Sequence, residues 1–214
     1  MKVAARNSPL SRAQVIEVEK EIQQFFPSLK LEPIFVETTG DLDLKRSLRD
    51  LDKTDFFTKE LDELVQRGFC RISIHSAKDL PENIPPELCV VAITKGVDPS
   101  DSLVMRVGET LSTLPLGAII ATSSKRREEN VNMLRSDFRF IDLRGKIHDR
   151  LKHLENKAAD GVVIAEAAII RLKLTHLNRI RIPGETAPLQ GKLAILARKE
   201  DREMQEVFAL LSST

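Results

Sequence analysis

Short apolar runs with strand character alternate along this chain with segments of helical period, and the alternation occurs twice. Val3-Ala4-Ala5, Leu29 to Val36, Ile72 with Ile74, and Leu88 to Ile93 read as strands. Between them, Val15, Val18, Ile22 and Phe25, and later Phe57, Leu61, Leu64 and Val65, recur at helical spacing. After a break at Lys95-Gly96-Val97-Asp98-Pro99 the order returns. Leu116 to Ala121, Phe138 to Ile141, Gly161 to Ala165 and Leu193 to Ala197 are strand-like. Helical periods run through Val131 and Leu134, through Ile147, Leu151 and Leu154, through Ile169 to Leu172, and through Met204, Val207, Phe208 and Leu211. Such an order folds as parallel or mixed sheets with helices on their faces. The nearly continuous apolar run at Gly161 to Ala165 fits a strand covered on both sides.

Local punctuation agrees. Ser8-Pro9 is an N-cap followed by proline at the first helical position, Pro27 is expected to stop that helix, and Gly68 suits the position just past the next one. The charged, weakly periodic stretch from Asp41 to Asp55 is expected to be a mobile loop. Breaks at 95–99 and at Pro183 to Pro188 predict two α/β lobes, residues 1–95 plus 186–214 and residues 96–185. Two lobes joined by two crossings predict a clamshell with its cleft between them.

The composition excludes several classes. Of the 214 residues, 42% are apolar and 30% charged, which describes a globular protein and not a disordered one. A net charge of +1, with neither Trp nor Tyr, offers no electrostatic footprint or stacking platform for nucleic acid and no attraction to an anionic membrane. No apolar run reaches membrane-spanning length, and the N-terminus lacks the apolar stretch of a signal peptide. The two cysteines, Cys70 and Cys89, lie in apolar strand-like segments and make no metal-binding spacing, as expected of reduced residues in a cytoplasmic protein. The expectation is therefore a cytoplasmic protein with no nucleic acid, no membrane and no metal; a small-molecule substrate and a monomeric state are expected beside these. No GxGxxG, Walker, HExxH, GxSxG or CxxC motif is present, which argues against dinucleotide enzymes, NTPases, zinc enzymes and serine hydrolases.

What remains is a set of polar strand ends. Ile72 to Ile74 leads into His75-Ser76-Ala77-Lys78-Asp79 and is closed by Leu80-Pro81, where proline favours an extended Leu80. In open α/β folds, ligands sit beyond the carboxyl ends of the strands. Ala121 leads into Thr122-Ser123-Ser124-Lys125-Arg126-Arg127, where hydroxyls at a helix start and bidentate guanidiniums one turn later suit an anion. Leu143-Arg144-Gly145-Lys146 with Arg150, and Arg6 with Ser8, repeat the pattern. Singly, each arginine reads as a surface residue; together they describe a site for a ligand with several negative groups. Asp79 is the odd member, either a counter-ion or a carboxylate that stabilises a transient positive charge. His75, at a strand end, is a base or a hydrogen-bonded structural residue.

Ala5-Arg6-Asn7-Ser8-Pro9-Leu10 with Gln14, Thr39-Gly40-Asp41, Lys59-Glu60-Leu61, His75-Ser76-Ala77-Lys78-Asp79-Leu80-Pro81, Asp98-Pro99-Ser100-Asp101, Thr122-Ser123-Ser124-Lys125-Arg126-Arg127, Leu143-Arg144-Gly145 and Gln190-Gly191 stand in that order. This series resembles the hydroxymethylbilane synthase family, also called porphobilinogen deaminase, across essentially the whole chain. The resemblance implies a transferase of tetrapyrrole (haem) biosynthesis that joins four porphobilinogen units head to tail with release of ammonia. It also implies lobes like the periplasmic-binding-protein type II clamshell.

By resemblance, Asp79 is the carboxylate that stabilises the cationic azafulvene, with Lys78 beside it. Arg126, Arg127, Arg144 and Arg150 would hold the acetate and propionate groups of the pyrroles. Thr122, Ser123, Ser124 and Gly145 would line the same site, and Arg6, Ser8, Gln14, His75 and Ser76 would face the cleft from the first lobe. The family carries a dipyrromethane primer on a cysteine of a third domain. That domain is expected to be absent from this chain, and neither Cys70 nor Cys89 has a matching context. Other departures are Lys53-Thr54-Asp55 in place of a glycine-rich loop, Lys146 in place of an asparagine, and Gly96 where a basic residue is common. The alternative expectation is a non-catalytic or primer-deficient binder of pyrroles or polycarboxylates.

Overall fold

The computed structural model describes residues 1–47, 49 and 54–212. The chain runs β1 (Lys2–Arg6), α1 (Pro9–Ile22), β2 (Glu32–Val36), α2 (Thr39–Leu42), α3 (Lys59–Gln66), β3 (Ile72–Ser76), β4 (Leu88–Ile93), β5 (Asp101–Met105), β6 (Ile119–Ala121), α4 (Lys125–Asn132), β7 (Arg139–Ile141), α5 (Ile147–Glu155), β8 (Gly161–Ala165), α6 (Glu166–Arg171), β9 (Arg179–Arg181), β10 (Leu193–Arg198) and α7 (Arg202–Ser212). Two compact units result. The first holds the described residues within Met1–Asp43, Asp52–Val97 and Gly191–Thr214, and the second those within Leu44–Leu51 and Asp98–Gln190. The chain thus passes between units at 97/98 and 190/191, where the sequence pattern predicts breaks at 95/96 and 185/186, and the described residues 44–47 and 49, expected in the first lobe, belong to the second unit as well.

Each unit carries one five-stranded mixed sheet, in the orders β2-β1-β3-β10-β4 and β7-β6-β8-β5-β9. In the first, β1 pairs in parallel with β2 and β3, and β10 runs antiparallel to β3 and β4. In the second, β6 pairs in parallel with β7 and β8, and β5 runs antiparallel to β8 and β9. The parallel strands of each sheet therefore end along one edge, and the antiparallel strand begins there: Leu193 lies opposite Ser76, and Asp101 opposite Ala165.

In the first unit, Ile72 and Ile74 project into a core with Val15, Val18 and Ile22 of α1 and Phe208 of α7. The opposite face packs Ala4, Ala194 and Leu196 against Leu61 and Val65 of α3. Strand parity sends Ser73 and His75 to this second face. In the second unit, Leu103, Ile120 and Val163 share a core with Val131 of α4 and Phe138.

Several boundaries differ from the sequence expectation. α1 starts as read, with Ser8 as N-cap accepting the Ser11 N–H at 3.1 Å and Pro9 at its start. It ends at Ile22, well before Pro27, because Gln23 turns and its side chain donates to Leu29 O at 2.9 Å. Phe25 therefore leaves the apolar stripe and is exposed. Two strands escaped the pattern. β5 is fully buried yet opens on Asp101-Ser102, and β9 is a three-residue strand with arginine at each end. Of the expected loop from Asp41 to Asp55, Asp41 and Leu42 belong to α2, whereas residues 48 and 50–53 lie outside the described residues.

Gly96 has φ +82, and a Cβ there would meet Gly191 O and Lys192 Cγ at 2.8 Å. Close approach of the two crossing segments thus accounts for glycine where the family resemblance expects a basic residue.

Candidate functional site

In the first unit the polar residues gather where β1, β2 and β3 end. Arg6, the last residue of β1, donates through Nε and Nη2 to the Asp41 carboxylate at 3.2 and 2.5 Å. Its guanidinium lies 4.4 Å from the Phe57 ring centroid. Phe57 in turn sits against Gly40, where an added Cβ would come within 2.2 Å of the ring, so only glycine fits. Burial raises the Asp41 carboxyl, but the Arg6 hydrogen bond and charge, together with Thr38, hold it below its ordinary value.

Gln14 is buried on α1 and donates to Ser76 Oγ at 2.9 Å, tying the helix to the end of β3. Lys78 and Asp79 share the short 3-10 turn Ala77–Asp79, and both are partly exposed. Leu80 is extended before Pro81, as expected from sequence. Among the described residues, no hydrogen bond or ion pair forms to the Asp79 carboxylate. His75 does not join this edge. Its Nε2 lies 2.8 Å from Ser73 Oγ and 3.2 Å from Asp62 Oδ1, all three residues being buried beneath α3. It faces the core side of the sheet because it follows Ser73 by two residues, so it occupies a structural position and is not presented to a ligand. Ser8 is likewise committed to capping α1.

The second unit is denser in cations. Thr122 continues β6 by donating its N–H to Ile141 O at 2.9 Å, and its buried Oγ1 has no hydrogen-bond partner among the described residues. Ser123 Oγ donates to Leu143 O at 2.6 Å and accepts the Leu143 N–H at 2.7 Å, so it fastens β6 to the end of β7. Ser124 is the extended N-cap of α4, and its hydroxyl makes no bond to that helix. Arg126 Nη2 and Arg127 Nη2 donate to the two oxygens of Asp101, at 2.9 and 2.5 Å. Gln190 Nε2 adds a third bond to Asp101 Oδ1 at 3.0 Å. Burial alone would raise the Asp101 carboxyl; the two arginines overcome it and hold it down to about 2. In the neighbouring turn, Gly145 has φ +90, which favours glycine, and its carbonyl accepts from Arg150 Nε at 2.8 Å. Arg144 is partly exposed in the same turn.

The sheet edges thus bring together Arg6, Gln14, Ser76, Lys78 and Asp79 in one unit, and Thr122 to Arg127 with the Arg144 turn in the other. Sequence reading assigned no role to Asp41, Asp62, Asp101, Arg49 or Gln190. Arg49 pairs with Glu128 at 2.6 Å and approaches Thr122 O at 3.5 Å. Asp101 and Gln190 stood in quoted motifs, but only the antiparallel setting of β5 brings Asp101 to the arginines. Among the described residues no group of His, Cys, Asp and Glu could hold a metal ion. No helix of the described residues is long and apolar enough to cross a membrane.

Solved structures with less than 15% identity share the fold. A periplasmic substrate-binding protein of an ABC transporter from Coxiella burnetii is similar with a TM-score of 0.58 and 14% identity, covering 99% of this chain and 91% of that one. The ancestral amino acid-binding protein AncCDT-1 gives a TM-score of 0.52 and 11% identity, covering 100% and 88%. The α/β fold is accordingly that of the periplasmic-binding-protein type II class.

Closer in sequence, a "Probable porphobilinogen deaminase" of Chlamydia trachomatis is 41% identical over 208 residues, 97% of this chain and 86% of the relative. The porphobilinogen deaminase of Chloroherpeton thalassium is 35% identical over 98% of this chain and 68% of its own length. That of Xanthomonas campestris is 35% identical over 100% of this chain and 71% of its own. The family model described as "Porphobilinogen deaminase, dipyromethane cofactor binding domain" matches residues 1–206. On this match and these identities, the chain belongs to the porphobilinogen deaminase family.

Proposed function

We propose that this chain acts as a hydroxymethylbilane synthase, condensing four porphobilinogen units into a linear tetrapyrrole with release of ammonia. The observation that carries this reading is the family match over residues 1–206. The geometry supports it. When the aminomethyl C–N bond of porphobilinogen breaks, ammonia leaves and the pyrrole nitrogen takes up positive charge as an azafulvene. A carboxylate with no partner among the described residues, Asp79, is suited to balance that charge, with the Lys78 side chain on the same turn. Arg126, Arg127, Arg144 and Arg150 are suited to the acetate and propionate groups, since guanidinium forks recognise carboxylates in bidentate fashion.

The same residues fit a dipyrromethane, which when bound supplies the pyrrole end that is extended. Arg127 has a buried Nε without a hydrogen-bond partner among the described residues, and so does the Thr122 hydroxyl, leaving donors for carboxylate oxygens. Covalent attachment to this chain's thiols does not fit. Cys70 is fully buried, and burial pushes both the Cys70 and Cys89 thiols up, against the thiolate that a thioether requires. Within the described residues, the group's carboxylates are read as held by the arginines of the second unit. A second reading is a pyrrole binder that does not turn over.

Incubating purified protein with porphobilinogen and following ammonia separates the two. Ammonia release that Asp79→Asn abolishes supports the synthase. Tight binding of porphobilinogen without ammonia release leaves the binder.

A further inference from the structure

Asp101 is the point on which the cationic cluster of the second unit turns. Its side chain is 2% exposed, and Arg126, Arg127 and Gln190 converge on it. It lies there for a topological reason. β5 is antiparallel to β8, so its first residue stands at the edge where the parallel strands end and where α4 begins. Arg126 is fixed a second time, by Nη1 donating to Glu185 O at 2.5 Å. Arg127 spends Nη2 on Asp101, while its Nε has no partner among the described residues. Two guanidiniums on adjacent residues repel one another, and a single carboxylate that gives each an oxygen removes that repulsion while leaving a net positive charge. A guanidinium has five N–H donors, so each arginine keeps donors beyond the one it gives to Asp101.

We propose that Asp101 is a positioning residue: its buried carboxylate sets the orientation of Arg126 and Arg127 so that their remaining N–H groups meet the carboxylates of a pyrrole ligand. This inference rests on the proposed function, because it takes the ligand to be a pyrrole polycarboxylate. A mere counter-ion at this place would mask the arginines, and its removal would strengthen anion binding. A positioning residue has the opposite sign for a ligand that demands geometry, and its removal spares a ligand that demands only charge.

The test is titration calorimetry of wild type, Asp101→Asn and Asp101→Glu with porphobilinogen and, separately, with inorganic phosphate, with folding followed by circular dichroism. Folded Asp101→Asn should bind porphobilinogen about tenfold more weakly while its affinity for phosphate is unchanged or higher. Asp101→Glu keeps the charge but moves it by a methylene, and it should lose porphobilinogen affinity without losing phosphate affinity. That variant decides the matter if Asp101→Asn does not fold. Unchanged or tightened porphobilinogen binding in a folded variant overturns the proposal while leaving the functional reading intact. Wild type that fails to bind porphobilinogen removes the functional reading, and the inference with it.

Discussion

The two units have the same sheet order, and in each the ends of the parallel strands gather at one edge, yet the residues at that edge differ. In the first unit Arg6 is matched one to one by Asp41, and Asp79 has no partner among the described residues. In the second, two arginines share Asp101, so positive charge is left over. Among the described residues, one sheet edge thus keeps a carboxylate outside any ion pair, and the other sets two guanidiniums on a single carboxylate. The difference teaches that topology supplies the place for chemistry, while the ratio of acids to bases within each unit decides its sign.

The largest effect expected from breaking this asymmetry is on turnover. Asp79→Asn should reduce the rate of ammonia release from porphobilinogen by about 10²–10³-fold or more, with porphobilinogen affinity and thermal unfolding nearly unchanged. A variant with wild-type turnover would reduce Asp79 to a turn residue and erase the contrast between the units. Next, Arg126→Ala and Arg127→Ala should each weaken porphobilinogen binding by about tenfold or more, consistent with a charge-assisted bond of roughly 1.5–3 kcal/mol. Lysine at either position should restore only part of the loss because the fork is gone. Calorimetry showing three equal affinities, for wild type, alanine and lysine forms, would make these surface arginines.

A smaller effect sharpens the same point through pH. Asp101 is held at about 2 against an ordinary 3.8. A depressed carboxyl contributes stability that is complete above its unfolded value and lost as pH falls through its folded value. Denaturant titrations should therefore show wild type losing on the order of 2 kcal/mol more than Asp101→Asn between about pH 4 and pH 2. Parallel pH profiles for the two proteins would contradict the ion cluster. Last, Ser8→Ala should cost about 1 kcal/mol of stability through its lost N-cap. If porphobilinogen affinity instead falls with stability unchanged, Ser8 binds ligand and the first unit's edge is larger than its contacts indicate.

Much of the fold was legible because local patterns carried it. β4 and α5 were readable from their apolar spacing, and the start of α1 from Ser8-Pro9. β5 was not readable, since a strand that begins Asp101-Ser102 looks polar until its neighbours on both sides are known. His75 misled for a related reason. A polar residue at a strand end looks available, but its face of the sheet is covered by α3, whose Asp62 lies 3.2 Å from its ring. Gln14 and Ser123 do lie near the strand ends, where Gln14 bonds to Ser76 and Ser123 to the Leu143 backbone.

Sequence alone determined the α/β class, the start of α1, the family, and the residue types at the strand ends, because each depends on short-range spacing or on a contiguous motif. Tertiary structure alone decided which charges cancel. Asp41 reaches Arg6 across 35 residues, and Asp101 reaches Arg126 across 25. No periodicity encodes such pairs, because they follow from strand direction and from which face of a sheet a helix covers. The partly exposed Asp79 and the guanidiniums gathered on Asp101 become distinguishable from ordinary surface charge only after those pairings are known.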